Sequence, residues 1–160
     1  MSTKVFEFLE PLQPSDYPGL LHAIAEFADI ACFVISDGVD HYSPAARAVI
    51  DRLEPDLVRV ERDIDAWPGT IRLPGGGSDR YLYSLNAEVI AALAETASSI
   101  FEWHHRALPD DLHFLRANGT VFFASIGHED DAWLEMALGE ANQWNSRHHF
   151  RVGESGRSSN

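Results

Sequence analysis

Residues 108–136 constrain the fold of this chain more than any other segment. An apolar run at 112–115 leads into the Ala-Asn-Gly sequence at 117–119, which favours a tight turn, and 121–126 follows with residues that favour strands. Two strand-forming runs joined by a short turn predict a β-hairpin. Residues 132–136 predict a third strand, so the whole segment indicates antiparallel pairing.

The turn after this hairpin, Gly127-His128-Glu129-Asp130-Asp131, places one imidazole and three carboxylates at the end of a strand. A rigid sheet presents such groups to a ligand or a partner. A histidine beside carboxylates can also act as a general base, but Ser125 lacks the sharp turn and the oxyanion loop of a serine nucleophile. Polar loops also form for solvation alone. The turn therefore leaves a partner-binding, a catalytic and a purely structural role open.

The composition suits one globular domain, because 160 residues that are 45% hydrophobic bury a core without disulfides or a structural metal. The single cysteine, Cys32, lies in an apolar run and is expected to be a buried, inert thiol. We predict one α+β domain over residues 1–152 and a disordered tail over 153–160, which offers almost no hydrophobic surface. The sequence contains no secretory leader and no apolar run of the ~20 residues that span a bilayer. We therefore expect a cytoplasmic protein.

The charge balance is strongly acidic, with 25 acidic and 12 basic residues and a net charge of -13. Such a surface repels phosphate backbones and anionic lipids, so neither nucleic acid nor a membrane is an expected partner. It accelerates encounter with a cationic protein instead. The same acidity is also compatible with a role in solubility alone.

The remaining segments predict helices interspersed with strands. Ser43 and Asn86 are candidate caps at the starts of two helices. The helix after Asn86 carries an apolar stripe through residue 101, and we expect Phe114, Val121, Phe123 and Ile126 to lie beneath it. Further strands are expected at 4–9, 29–36, 57–64, 70–73 and 80–85, and further helices at 17–28, 45–53 and 138–146. Hairpins without regular crossovers favour an α+β fold with a mostly antiparallel sheet and helices packed on one face.

Four histidines, His104, His105, His113 and His128, are candidate zinc or iron ligands by residue type. The spacing argues against a metal site. Adjacent histidines point in different directions on any regular element, and neither a two-turn helix motif nor paired cysteines are present. We predict no metal and no cofactor.

Aromatic residues are the other candidates for an interface, because exposed tryptophan and tyrosine supply large contact areas at low entropic cost. Most of them are expected in the core. Trp103 and Trp144 lie outside the clearest strands and are predicted to be the exposed ones.

The pattern PDDLHFLRANGTVFFASIGHEDDAWLEM follows a helix that ends in Phe101-Glu102-Trp103-His104. It resembles small bacterial proteins in which a segment like Pro-Glu-Asp-Leu-Cys-Phe precedes a short hairpin and a Ser-Ile-x-His-Glu turn. Such proteins are similar to immunity proteins of bacterial toxin systems. The resemblance covers residues from about 80 to 136, and His113 stands where a small or apolar residue is expected. It implies a binding protein and transfers no active site.

These observations favour an acidic, non-enzymatic binding protein, an immunity-like inhibitor of a cationic protein such as a toxin. The alternative is a small hydrolase or isomerase that uses His128 with its neighbouring carboxylates, with or without a metal. The predicted partner-binding residues are Asp110, Asp111, His128, Glu129, Asp130, Asp131 and Trp103.

Overall fold

The computed structural model describes residues 2–158, in which one antiparallel sheet of eight strands is the largest feature. Its strands stand in the order β10-β1-β9-β8-β7-β2-β6-β3, and β4 and β5 form a separate two-stranded hairpin. The strands are β1 (Lys4–Phe8), β2 (Ile30–Ser36), β3 (Leu57–Ile64), β4 (Ala66–Trp67), β5 (Thr70–Ile71), β6 (Ser78–Ser84), β7 (Asp110–Leu115), β8 (Val121–Ile126), β9 (Asp131–Met136) and β10 (Val152–Glu154).

Four α-helices accompany the sheet within the described residues: α1 (Tyr17–Ala25), α2 (Pro44–Leu53), α3 (Ala87–Thr96) and α4 (Leu138–Arg147). All four contribute side chains to the largest hydrophobic cluster, which also holds Phe114, Phe122 and Phe123 of the sheet. The predicted α+β class, with a mostly antiparallel sheet and helices on one face, is confirmed. None of these helices, in the part of the chain described, is long and apolar enough to cross a bilayer.

The helix starts follow the predicted caps. Ser43 Oγ accepts the backbone N–H of Ala46 at 3.2 Å, and Asn86 Oδ1 accepts that of Val89 at 2.9 Å. The predicted continuation of α3 through residue 101 is wrong, because the backbone of Ala97 is extended. Ser99 then caps a short 3-10 turn, in keeping with the preference of serine for caps over helix interiors.

The β7–β8 hairpin is confirmed, with Phe114 paired to Phe123. Gly119 has a φ of 85°, the left-handed conformation that its turn requires. Two of the four residues predicted beneath the helix belong elsewhere. Ile126 and the half-buried Val121 pack with the cluster that contains Trp133, apart from Phe114 and Phe123. Alternation of side chains along a strand separates Phe123 from Ile126 in this way.

The β4–β5 hairpin packs against this second cluster. Gly69 at its turn has a φ of 80°, and a Cβ there would lie 2.6 Å from the Trp133 ring and 2.7 Å from Ile126. Glycine is therefore required both for the turn and for the close approach. The hairpin brings Trp67 and Thr70 to the end of the sheet where the candidate site lies.

The predicted disorder from residue 153 onward is wrong at its start. Gly153 and Glu154 belong to β10 and pair with Glu7 and Phe6 of β1. Lys4 Nζ also lies 2.7 Å from Glu154 Oε1. Backbone pairing with an edge strand orders this segment, and it needs little hydrophobic surface. Residues 159–160 of the predicted tail lie outside the described residues.

Candidate functional site

A cleft of about 300 Å³ opens at one end of the central strands. In an antiparallel sheet, neighbouring strands run in opposite directions, so the ends of β2 and β8 meet the starts of β6 and β7 at one edge. We call this site the central cleft. It is lined by Ser36, Asp37, Trp67, Thr70, Arg72, His104, His105, Asp110, Asp111 and His128.

Asp110 is a buried carboxyl in the wall of the central cleft. Its Oδ2 accepts hydrogen bonds from Tyr42 Oη at 3.1 Å and from Ser36 Oγ at 3.2 Å. Its Oδ1 is also buried and has no hydrogen-bond partner among the described residues. Burial raises the pKa of Asp110 to about 6, although the two hydroxyl donors oppose the shift. The carboxyl is therefore poised to exchange a proton or to receive a donor near neutral pH.

Tyr42 connects Asp110 to His105. Its hydroxyl accepts the Ser36 backbone N–H at 2.9 Å and donates its one proton to Asp110. His105 Nδ1 lies 2.9 Å from the same hydroxyl, so Nδ1 has to be the donor in that bond. Partial burial lowers the pKa of His105, which favours the neutral ring. This arrangement fixes the Nδ1–H tautomer and leaves Nε2 as an acceptor.

Asp111 holds the walls of the central cleft together. Its Oδ2 accepts the indole N–H of Trp67 at 2.8 Å, and its Oδ1 accepts the backbone N–H of Gly127 at 3.2 Å. Its own N–H donates to the Trp103 carbonyl at 3.0 Å. Burial raises the pKa of Asp111 as well. One side chain thus links β7 to the β4–β5 hairpin and to the end of β8.

Arg72 is held at the cleft wall by a chain of hydroxyls. Its Nη1 donates to Ser78 Oγ at 2.8 Å, and Ser78 Oγ lies 3.3 Å from Ser36 Oγ, which donates to Asp110. The cleft thus contains the carboxylates of Asp37, Asp110 and Asp111 but a single arginine. Its carboxyl groups therefore outnumber its arginine three to one.

The predicted turn residues lie at the mouth of the cleft or beside it. His128 lines the cleft but is largely exposed, with Nε2 3.6 Å from Glu129 Oε1. Asp130 is exposed and has a φ of 52°, whereas Asp131 starts β9 and pairs with Arg157 at 2.9 Å. The structure therefore brings Asp110, Asp111 and His128 together and places the other three acids outside.

Two parts of the predicted interface differ from expectation. Trp103 and Trp144 are fully buried, so their predicted exposure is wrong. The indole N–H of Trp103 donates to Tyr17 Oη at 3.0 Å, and that of Trp144 donates to the Phe150 carbonyl at 2.7 Å. Asp110 and Asp111, predicted as partner-binding residues, begin the strand β7 and are buried. Both differences arise from long-range packing, which local patterns do not reveal.

Several site residues escaped the sequence analysis: Ser36, Asp37, Tyr42, Trp67 and Arg72. A sequence signal existed for Arg72, because polar and apolar side chains alternate over residues 70–73. Thr70 and Arg72 line the cleft, while Ile71 and Leu73 are 81% and 85% exposed. The alternation thus separates cleft-lining residues from outward-facing ones.

The histidines considered as metal ligands do not converge. Among residues 2–158, no three histidine, cysteine, aspartate or glutamate side chains are placed to hold one metal ion. His113 is buried in the sheet, where Nδ1 lies 2.7 Å from the Asp111 carbonyl, and burial lowers its pKa to about 3. It is therefore a neutral side chain of the sheet interior.

The chain was compared with models of protein families, with curated proteins and with solved structures. None of the three comparisons found a match.

Proposed function

We propose that this protein is an acidic, cytoplasmic binding protein that inhibits a basic protein partner, in the manner of the immunity proteins that its hairpin motif resembles. One observation carries the proposal. The central cleft holds three carboxyl groups and a single arginine, and Ile71 and Leu73, in the segment that contributes Thr70 and Arg72 to its lining, are highly exposed apolar side chains. Exposed apolar side chains near a recessed polar site are typical of a surface that a protein partner covers.

The charge of the remaining surface supports the same partner. Most lysine and arginine side chains already lie beside a carboxylate, as in Arg52–Glu95, Arg62–Asp79 and Arg116–Glu140. The excess negative charge therefore resides in carboxylates without a cationic neighbour, including exposed Asp37 and Asp130 at or near the cleft. Such a field attracts a basic protein and speeds its association.

The apolar rim supports a protein partner more than a small ion. A leucine or isoleucine that is more than four-fifths exposed loses contact with water only when a second surface covers it. Thr70 and Arg72 line the cleft, and Ile71 and Leu73 lie on the outward side of the same segment, so a partner that covers both the cleft and this segment buries these side chains. The surface that the partner covers then combines the apolar side chains of Ile71 and Leu73 with the polar residues Asp110, Asp111, His128, Glu129 and Asp130.

The experiment takes any basic protein that a neighbouring gene encodes and tests it for growth inhibition and for rescue by this chain. Stopped-flow association of the purified pair should slow by roughly tenfold or more from low to high salt. The double variant Ile71→Ser with Leu73→Ser should bind roughly tenfold more weakly. Leu138→Ser is the matched control, because Leu138 is also exposed but lies on α4. Equal affinity of both variants would contradict the proposed surface.

The enzymatic alternative has one specific observation in its favour, and it concerns His105 rather than His128. The Tyr42 hydroxyl and Asp110 orient His105 Nδ1, which leaves Nε2 as a candidate base. Hydrolysis of p-nitrophenyl acetate provides a test. A hydrolase of this kind would lose activity in His105→Gln and keep it in His128→Gln, whereas a binding protein would show no activity to lose.

A further inference from the structure

We propose that the central cleft binds a guanidinium group. In the complex envisaged above, this group is an arginine side chain of the basic partner, and in that respect the inference rests on the proposed function. The cation site itself follows from the residues of the cleft and does not depend on which protein supplies the arginine.

The hydrogen bonding of Asp110 is incomplete. Tyr42 and Ser36 both donate to Oδ2, and Oδ1 has no donor among the described residues although it is buried. An unpartnered buried acceptor is costly, and an ionised one more so. A ligand that brings N–H groups into the cleft removes this cost. Asp111 differs in this respect, because Trp67 and Gly127 already occupy both of its oxygens.

The charged side chains of the cleft favour a cation over an anion. Asp37, Asp110 and Asp111 face one arginine, and Arg72 is tied to Ser78 at the wall. His105 donates through Nδ1 to Tyr42, and its partial burial lowers its pKa, which favours the neutral ring. An anionic ligand would meet carboxylates on several sides, whereas a cation is attracted by the excess negative charge.

The size and the lining of the site suit one planar cation. About 300 Å³ accommodates one side chain but not a folded segment of a partner. Trp67 offers an indole whose orientation is fixed by its bond to Asp111, and aromatic faces attract planar cations. A guanidinium is planar, weakly hydrated and carries five donors, so it suits a buried carboxylate better than a strongly hydrated ammonium does.

The experiment measures binding of N-acetyl-arginine amide to the intact protein by NMR, with the indole N–H of Trp67 as the reporter. N-acetyl-citrulline amide is the control ligand, because it has nearly the same shape without the charge. We expect saturable shifts of the Trp67 signal with the arginine probe and none with citrulline. The lysine amide should bind several-fold more weakly, and equal binding would overturn the assignment to a guanidinium.

Variants locate the site. Asp110→Asn should weaken binding of the arginine probe by roughly tenfold, because it removes the buried charge. Asp37→Asn tests the exposed rim, which tolerates substitution even if Asp110→Asn does not fold, and it should weaken binding less. Glu88→Gln is the matched control, because it removes one exposed carboxylate on α3, which begins at the opposite end of the sheet. Equal binding by wild type, Asp37→Asn and Glu88→Gln, or no binding to wild type, would overturn the proposal.

The two proposals fail separately. A protein that binds the arginine probe at the cleft but no neighbouring basic protein would contradict the proposed function and keep the guanidinium site. Association with the basic partner without any response to the arginine probe would contradict the guanidinium site and keep the proposed function.

Discussion

Two Asp-Asp pairs in this chain have the same sequence and opposite environments. Asp110–Asp111 begins β7 and is buried, whereas Asp130 is exposed and Asp131 is half-buried at the start of β9. Both pairs lie at the same end of the sheet, since β7 and β9 run in the same direction on either side of β8. Each also contains one residue with a positive φ, 55° at Asp111 and 52° at Asp130.

The difference between the pairs comes from what covers them. Trp67 and Tyr42 donate to the first pair, so its carboxyls lie in low-dielectric surroundings that raise their pKa values. Among residues 2–158, the second pair has only Arg157 beside Asp131. A charged dipeptide thus becomes a recessed binding site or a solvated turn according to the segments that pack over it, and not according to its own sequence.

The largest expected effect is the difference between alanine substitutions at Asp111 and Asp130, the residues with positive φ in the two pairs. Asp111→Ala leaves the Trp67 indole N–H and the Gly127 N–H without their acceptor, and should lower the free energy of unfolding by roughly 3 to 5 kcal/mol. Asp130→Ala has the same backbone cost but no lost partner, and should cost about 1 kcal/mol. Urea denaturation of both variants measures the difference. Equal losses would mean that the backbone conformation shared by both positions, and not the hydrogen bonds of Asp111, sets the cost.

The second prediction concerns pH. Burial raises the pKa of Asp110 from 3.8 to about 6, so the folded chain holds its proton more tightly than the unfolded chain. The resulting stabilisation is complete below pH 3.8 and is lost as the pH rises through about 6. Its slope is at most about 1.4 kcal/mol per pH unit.

The test is urea unfolding of wild type and Asp110→Asn across this pH window. Asparagine does not titrate, so the variant should gain about 3 kcal/mol relative to wild type from low pH to neutrality. Asp130→Asn is the matched control, because it removes one exposed carboxylate of the other Asp-Asp pair. A constant difference between wild type and Asp110→Asn would show that Asp110 does not titrate as described.

Some elements of this fold can be predicted from the sequence, and others depend on residues far apart in the chain. Features set by neighbouring residues were predictable: the turn at Gly119, the caps at Ser43 and Asn86, and the strands that flank the turn. The α+β class follows from these elements. The end of α3 at Thr96 was missed because the apolar stripe continues past the residues that stop the helix.

The candidate site was predictable in composition but not in arrangement. Asp110, Asp111 and His128 were chosen as polar residues near strand ends, and they do line one cleft. Tyr42 and Trp67 come from segments distant in sequence, and only the strand order brings them to Asp110 and Asp111. Trp103 was misplaced because its indole bonds to Tyr17, 86 residues away. Contacts of this range depend on the whole sheet and leave no periodic signal.

The smallest expected effect concerns the solvated pair and the residue that holds it. Arg157 lies 2.9 Å from Asp131 and 3.6 Å from Glu7, and its guanidinium lies over the Trp133 ring at 4.9 Å. Partly exposed ion pairs contribute little, so Arg157→Ala should cost about 0.5 to 1 kcal/mol, part of it through the lost contact with Trp133.

Salt separates these two contributions in Arg157→Ala. The ion-pair part of the loss should shrink at high salt, whereas the stacking part should remain. Arg151→Ala is the control for removing one positive charge, because Arg151 is exposed and forms no ion pair with the described residues. If Arg157→Ala cost as much as Asp111→Ala, the acidic turn would be structurally fixed rather than solvated, and the contrast between the two Asp-Asp pairs would not hold.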